Sequence, residues 1–198
     1  MTVRRTQAER SAKTRSLLIS AAVDSLVERG WAATTIVEVC ARAGVTRGAF
    51  NHHFPSRPFL LASALQSIYD QMAGKSGPGP SNLEELLEFT WRAVSSPQFK
   101  AMLEAWLAMA NDPELAGEIG PVVESFALLV NPDQLAVGSI DLDEERRTYY
   151  LMARETMLGL AVGRSTNGGR PLGHEPAVLA ALRAEASRFA TSTAETDT

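Results

Sequence analysis

The residues best suited to chemistry lie between positions 34 and 57, where polar and small side chains follow a pair of threonines. Arg47 can donate hydrogen bonds to a guanine edge or to a phosphate, and Asn51 can pair with adenine or hold a phosphate. Gly48 and Ala49 beside them are small enough to let a backbone approach a groove edge closely. These residue types in this order favour contact with a nucleic acid over covalent catalysis.

Two short helices joined by a glycine turn are needed to position these side chains. The predicted elements are a helix over residues 36–43 capped by Thr34 or Thr35, a turn at Gly44, and a helix over residues 47–54 capped by Thr46. This spacing is typical of a helix-turn-helix, whose second helix fits the major groove of DNA. An ordinary helical hairpin in a bundle has the same spacing, so the pattern alone leaves both interpretations open.

The rest of the chain also has helical periodicity, and the alternation typical of strands never persists. We therefore predict an all-α fold. The predicted helices cover residues 7–29, 36–43, 47–54, 57–72, 83–94, 97–110, 113–130, 144–164 and 176–189. Residues 191–198 contain no apolar anchor and are predicted to be a disordered tail.

Charge divides the chain into a basic head and an acidic body. The whole sequence has 19 Lys and Arg against 23 Asp and Glu, a net charge of −4, but residues 1–60 alone sum to +5 and the remainder to −9. The single cysteine, Cys40, excludes an internal disulfide framework, and no run approaches the roughly 20 apolar residues of a membrane span. We expect a cytoplasmic protein that does not enter a membrane.

Several residues within the range 15–61 occur in a pattern that is typical of one protein family. They are Ala21-Ala22, Gly30, Thr34-Thr35, the run Ala43-Gly44-Val45-Thr46, Gly48, His53-Phe54 and the basic residue Arg57. This run closely resembles the DNA-binding domain of the TetR family of bacterial transcriptional regulators. The resemblance implies a helix-turn-helix DNA-binding domain of three helices over residues 1–55 and a larger helical regulatory and dimerisation domain over residues 56–190.

The resemblance also implies roles for individual residues in the head. Thr34 and Thr35 would meet phosphates, Thr46, Arg47, Gly48 and Ala49 would face base edges, His52 would lie near the DNA backbone, and Arg57 would replace a lysine that grips phosphate. Asn51 departs from the family pattern, because it stands where a tyrosine is usual, and it can either read a base or contact a phosphate. Cys40 replaces the usual alanine, as a small core residue or, alternatively, a redox sensor.

For the body, the resemblance implies a ligand-responsive repressor that binds a near-palindromic operator in double-stranded DNA as a homodimer. A small apolar or amphipathic effector would contact some of Trp91, Met102, Trp106, Met109, Phe126, Tyr149 and Met152, although each of these could equally be plain core. The two helices over residues 144–164 and 176–189 would pair with a second copy, or close the monomer's own core.

No set of residues supports catalysis or metal binding. His52 and His53 are adjacent and point about 100° apart on a helix, and His174 is distant in sequence, so they do not form a metal-ligand pattern. We expect no catalytic residue, metal or cofactor. The alternative to a regulator is a helical ligand-binding or protein-docking module that has lost operator recognition, and it predicts that Arg47, Asn51 and Arg57 are buried or paired with acids.

Overall fold

The computed structural model describes residues 6–74, 80–128, 140 and 142–196. Within these ranges the chain forms helices and no strand, so the predicted all-α fold is confirmed. The helices are α1 (Gln7–Arg29), α2 (Ile36–Ala43), α3 (Arg47–His53), α4 (Arg57–Gly74), α5 (Leu83–Val94), α6 (Pro97–Met109), α7 (Pro113–Leu128), α8 (Glu144–Thr166) and α9 (Glu175–Thr196). In this described part, no helix has the length and apolar character required to cross a membrane.

Local signals set the ends of the first helices. At the start of α1, the Thr6 side chain accepts a hydrogen bond from the Glu9 amide at 3.2 Å, and the Glu9 carboxylate accepts one from the Thr6 amide at 2.8 Å. The helix ends at Gly30, whose φ of 84° favours glycine. α3 stops one residue earlier than predicted, because Phe54 has already turned to an extended conformation as the C-cap.

The chain divides into two compact units. The first contains residues 1–71 and 100–126, and the second contains residues 72–99 and 127–198. Parts of α6 and α7 therefore pack in the same unit as the helix-turn-helix, although they belong to the predicted regulatory domain. The boundary at residue 55 stays a prediction of where the DNA-binding part ends.

The core of the first unit follows from the amphipathic pattern of its helices. Leu18, Ala22 and Leu26 recur every four residues along α1 and are fully buried, as are Leu61 and Leu65 on α4. Burial of a leucine side chain stabilises a fold by about 1.5–3 kcal/mol relative to exposure. This stripe gives the short helices α2 and α3 a rigid support, since both pack against α1.

The second unit packs α5, α8 and α9 against one another and encloses two polar pairs. The hydroxyl groups of Thr90 and Tyr150 lie 2.9 Å apart in the core. The carboxylate of Glu175, only 4% exposed, pairs with Arg164, whose guanidinium lies 5.2 Å from the centroid of the Trp91 ring. Buried polar groups are tolerated when they are paired, so these contacts specify how the three helices align.

The C-terminal helix differs from the sequence prediction. α9 continues to Thr196, beyond its predicted end at residue 189, and the disorder of residues 191–198 stays a prediction. The absence of an apolar anchor predicts weak packing, but this stretch contains alanine and glutamate and neither glycine nor proline, which allows a helix to propagate. Residues 197–198, and the predicted end of α7 at residue 130, lie outside the described residues.

Substitution of Gly44 separates the effect of backbone conformation from that of packing. Gly44→Ala should lower the free energy of unfolding by about 1 kcal/mol, the usual cost of the left-handed backbone conformation for an L-amino acid. Gly44 has a φ of 66°, and no atom lies within 4 Å of an added Cβ. As the matched control, Gly48→Ala should raise it by up to about 1 kcal/mol, because Gly48 lies in a helix. Urea unfolding followed by circular dichroism checks both, and equal effects would contradict the interpretation.

Candidate nucleic-acid interface

α2 and α3 form a two-helix element whose helix starts are capped by threonine side chains. Thr35 Oγ1 accepts a hydrogen bond from the Glu38 amide at 3.2 Å, and Thr46 Oγ1 accepts one from the Ala49 amide at 3.2 Å. Between the helices, Gly44 takes the left-handed conformation with φ 66° and ψ 33°. The helix-turn-helix predicted from the sequence is therefore present, with its caps at residues 35 and 46.

The inner side of this element is apolar. Val39 and Phe50 are buried, and the Phe50 ring stacks on that of Phe54 with 5.9 Å between centroids. Cys40 is also buried; its burial raises the pKa of the thiol, and the charge of Arg47 partly opposes that shift. A buried neutral thiol behaves as a small apolar residue, which favours a core role for Cys40 over a redox role.

The outer side of α3 presents the residues predicted to meet DNA. Thr46, Arg47, Gly48, Asn51 and His52 are exposed, and Ala49 is half-buried. Arg47 and Asn51 are one helical turn apart, as are Gly48 and His52, so they form one continuous surface. Among the described residues, no acid lies within ion-pair distance of Arg47. This surface therefore offers a positive charge and an amide beside small residues.

Arg57 is engaged inside the fold rather than free at the start of α4. Its Nε donates to the Thr34 carbonyl oxygen at 2.8 Å and its Nη2 to the Trp31 carbonyl oxygen at 2.5 Å, while the guanidinium lies 5.2 Å from the centroid of the Trp31 ring. Its partial burial lowers the pKa of the guanidinium. The structure thus gives Arg57 the role of bracing the α1–α2 loop, and its predicted phosphate contact stays a prediction.

Thr34 is also a structural residue. It is 1% exposed, and its hydroxyl donates to the Gly30 carbonyl oxygen at 2.8 Å and pairs with Ser25 Oγ at 3.0 Å. These contacts favour a structural role for the Thr34 side chain, and its predicted phosphate contact stays a prediction. Thr35, in contrast, is exposed and keeps its hydroxyl proton for an external acceptor, because its cap uses the oxygen as an acceptor.

An ion-pair network missed by the sequence analysis links α1 to α2. Arg29 lies 2.8 Å from Glu38, and Arg42 lies 2.8 Å from Glu28 and 3.4 Å from Glu38. The hydrogen bond from Arg29 lowers the pKa of the Glu38 carboxyl, and Arg42 adds to the shift. The spacing of four residues between Glu38 and Arg42 was the available signal. Two of the basic residues in the head are therefore neutralised locally.

The residues predicted to contact an effector divide between the two units. Met102, Trp106, Met109 and Phe126 belong to the unit that contains α1–α3. There the rings of Trp106 and Phe126 meet edge to face, with 6.4 Å between centroids, and Met102 is fully buried. Within this unit, α6 and α7 thus bring two of the predicted aromatic residues into direct contact.

The other three predicted effector residues belong to the second unit and have different environments. The Tyr149 hydroxyl donates to the Leu182 carbonyl oxygen, and Trp91 lies beneath Arg164. Met152 is 57% exposed on α8. A side chain at the surface does not line an enclosed site, so this exposure gives no support to an effector contact at Met152, which stays a prediction.

A groove of mixed polar and apolar character lies beside α1 and α4 in the first unit. Its volume is about 670 Å³, and Arg15, Ser63, Asp70 and Val122 are among its lining residues. On its walls, Arg15 donates to Ser63 Oγ at 3.3 Å. None of the residues predicted to contact an effector lines it. This groove could not be predicted from the sequence, because its walls come from helices that are distant along the chain.

Comparison with known proteins places these features among bacterial regulators. Residues 18–64 match the model of a family described as bacterial regulatory proteins, tetR family. The HTH-type transcriptional regulator CymR of Pseudomonas putida is 33% identical over 141 residues, which are 68% of this chain and 70% of CymR. TtgR, an HTH-type transcriptional regulator from a strain of the same species, is 40% identical over 68 residues, 34% of this chain and 32% of TtgR.

Solved structures show a similar fold. The multidrug binding protein EbrR, complexed with imidazole, aligns with a TM-score of 0.57 at 19% sequence identity, covering 85% of this chain and 92% of EbrR. At this level of identity the similarity concerns the fold alone. It extends well beyond the helix-turn-helix, because most of both chains is covered.

The bracing role of Arg57 predicts a loss of stability on its removal. Arg57→Met should lower the free energy of unfolding by about 1–3 kcal/mol, because the carbonyl groups of Trp31 and Thr34 lose their donors. Arg57→Lys should recover only part of that loss, since one ammonium group does not reproduce the guanidinium fork. Thermal and urea unfolding measure the effect.

The control Arg92→Met alters an exposed residue of α5 and should change the free energy of unfolding by less than about 0.5 kcal/mol. A loss in this control comparable to that of Arg57→Met would contradict the bracing role.

Proposed function

Because the chain belongs to the TetR family of bacterial transcriptional regulators, we propose that it binds a near-palindromic DNA operator as a homodimer and represses transcription until a small effector releases it. The observation that carries the DNA-binding part is the exposed Arg47 on α3, with no acid partner among the described residues. A cation kept free on a capped, well-supported helix is suited to a polyanionic partner. Gly48 beside it allows close approach to the groove.

In the proposed complex, α3 lies in the major groove. Arg47 donates to a base edge, Gly48 and Ala49 allow the approach, and Thr46 contacts the groove near the start of the helix. Thr35 meets a phosphate through its hydroxyl proton, and His52 lies near the DNA backbone. Asn51 is exposed and has two ways to act, on a base or on a phosphate.

The alternative of a module without operator recognition receives less support. It predicts that the three polar residues Arg47, Asn51 and Arg57 are buried or paired with acids. Arg47 and Asn51 are exposed, and the acceptors of Arg57 are main-chain carbonyl groups rather than carboxylates. The arrangement therefore favours a working DNA-binding head.

For the effector, we propose a small apolar or aromatic molecule that contacts α6 and α7. Trp106 and Phe126 already form an edge-to-face pair, and Met102 and Met109 on α6 provide adaptable apolar surface. The fold neighbour EbrR is named as a multidrug binding protein, and its complexes contain imidazole and proflavin, which are flat aromatic molecules. An effector can release DNA only if it binds more tightly to one arrangement of the heads.

For the dimer, we propose that α8 and α9 pair with a second copy. Met152, Gly159 and Val162 follow one another at helical spacing on α8 and are exposed, with Met152 at 57% and Val162 at 40%. α9 adds exposed alanines to this surface, including Ala177 and Ala181. A dimer would place two α3 helices about one helical turn of DNA apart, or a small multiple of it, matching a near-palindromic operator.

Binding of selected DNA tests the proposed function. Duplexes enriched from a random pool should bind the wild type, and Arg47→Ala should weaken that binding about ten- to a hundredfold, the loss expected when a base contact of about 1–3 kcal/mol is removed. Affinity is measured by fluorescence anisotropy at several salt concentrations. A contact to phosphate alone would instead flatten the slope of log affinity against log salt by about 0.9.

The matched control for this measurement is Arg92→Ala, which removes an exposed arginine from the second unit and should leave affinity unchanged. Failure of the wild type to bind any selected duplex would refute the proposed function. Equal losses in the two variants would show that bulk charge, rather than the α3 surface, governs binding.

Disruption of the proposed dimer surface should give a folded monomer. Val162→Glu places a charge on the exposed face of α8, where it would be desolvated by a second copy, so the dimer should dissociate at micromolar concentration. Sedimentation equilibrium measures the mass. The control Val37→Glu changes an exposed valine of α2, 70% exposed, and should leave the dimer intact. A wild type that is monomeric throughout this range would contradict the proposal.

A further inference from the structure

An acidic side chain from α6 holds the loop between α1 and α2. Glu104 Oε2 accepts a hydrogen bond from the Trp31 amide at 2.5 Å, and Lys100 Nζ lies 2.9 Å from Glu104 Oε1. Lys100 lies one helical turn before Glu104, so the ion pair orients the carboxylate. Glu104 therefore supplies an acceptor for an amide that follows the end of α1 and precedes the start of α2.

Gly30 leaves the space that this carboxylate occupies. A Cβ atom at residue 30 would lie 2.7 Å from Glu104 Oε2 and 3.0 Å from its Oε1, and at the first distance the carboxylate would have to shift. The same glycine ends α1, with its amide bonded to the Leu26 carbonyl oxygen at 3.1 Å. The end of α1 and the carboxylate of α6 thus fit one another closely.

The loop is bound through both polar groups of one peptide residue. The Trp31 amide is held by Glu104 of α6, and the Trp31 carbonyl group is held by Arg57 of α4. Ile36, the first residue of α2, follows only five residues later. The position of α2, and of α3 beyond its short turn, therefore depends on two helices outside the helix-turn-helix.

α6 presents this anchor and the proposed effector residues on different faces. At about 100° per residue, Met102, Trp106 and Met109 fall within about 60° of one another around the helix axis, whereas Glu104 lies about 200° from Met102. Met102 is buried, and Trp106 contacts Phe126. Because a helix moves as a stiff body, displacement of one face also displaces the other.

We propose that Glu104 is a positioning residue for DNA recognition, which transmits movement of α6 to the α1–α2 loop through the Trp31 amide. This inference rests on the proposed function and adds a specific route between the effector face and the DNA-binding head. Coupling between two sites is reciprocal, so DNA bound at α3 must change the behaviour of α6 when the link is intact. The link is therefore measurable with DNA alone.

Hydrogen–deuterium exchange of the full-length protein, with and without a selected duplex, tests the link. In the wild type, saturating duplex should slow amide exchange in peptides covering residues 97–109. Glu104→Ala removes the acceptor, so the free protein should exchange the Trp31 amide at least about tenfold faster, and the DNA-dependent change over α6 should disappear. Glu104→Gln keeps an acceptor oxygen and should retain that change.

Controls separate coupling from folding. Glu124→Ala removes an exposed carboxylate from α7 in the same unit and should behave as the wild type in every measurement. Circular dichroism and thermal unfolding establish that each variant is folded; should Glu104→Ala fail to fold, Lys100→Ala, which frees the carboxylate from its ion pair, should weaken the DNA-dependent change partially.

The outcomes distinguish the two proposals. A wild type that binds duplex without any change over α6, or a Glu104→Ala protein whose α6 responds as the wild type does, overturns the positioning role alone. A wild type that binds no duplex overturns the proposed function and the positioning role together. Loss of the response in Glu104→Ala with its retention in Glu104→Gln supports the route through the Trp31 amide.

Discussion

The main-chain groups of the loop between α1 and α2 lack the hydrogen-bond partners that a helix gives its own backbone. Side chains from elsewhere in the first unit supply those partners. The Trp31 amide finds Glu104, the Trp31 and Thr34 carbonyl groups find Arg57, and the Gly30 carbonyl group finds the Thr34 hydroxyl. Unpaired polar backbone groups are costly when water is excluded. Side chains from distant parts of the chain are therefore committed to a few peptide groups, and the helix-turn-helix begins from a fixed point.

The basic residues of the head differ in the partners that their side chains bind. Arg29 and Arg42 neutralise carboxylates between α1 and α2, and Arg57 serves the loop backbone, whereas Arg47 faces outward without an acid among the described residues. Counting charges along the sequence treats all four alike. The potential that an approaching polyanion meets depends on where each charge is held, so the net +5 of residues 1–60 does not show which of these charges face it.

Prediction from the sequence succeeded where the determining signals are local. The bounds of α1 and α2 follow from apolar spacing, a glycine at the end and a polar cap at the start, all within a few residues. It did not foresee the internal contacts of Thr34 and Arg57, because their partners, main-chain carbonyl groups and the Ser25 hydroxyl, come near only in the folded chain. The effector residues were chosen by type, and type does not reveal that Met152 lies at the surface.

The contact between Glu104 and residue 31 uses only the main chain of that residue. This hydrogen bond therefore does not depend on the identity of the side chain at position 31. The steric requirement falls on the preceding residue instead. A relative with any side chain at position 30 could not keep a carboxylate in the same place. Residues 30 and 104 are therefore sterically dependent on one another, although the hydrogen bond of Glu104 is made to the amide of Trp31.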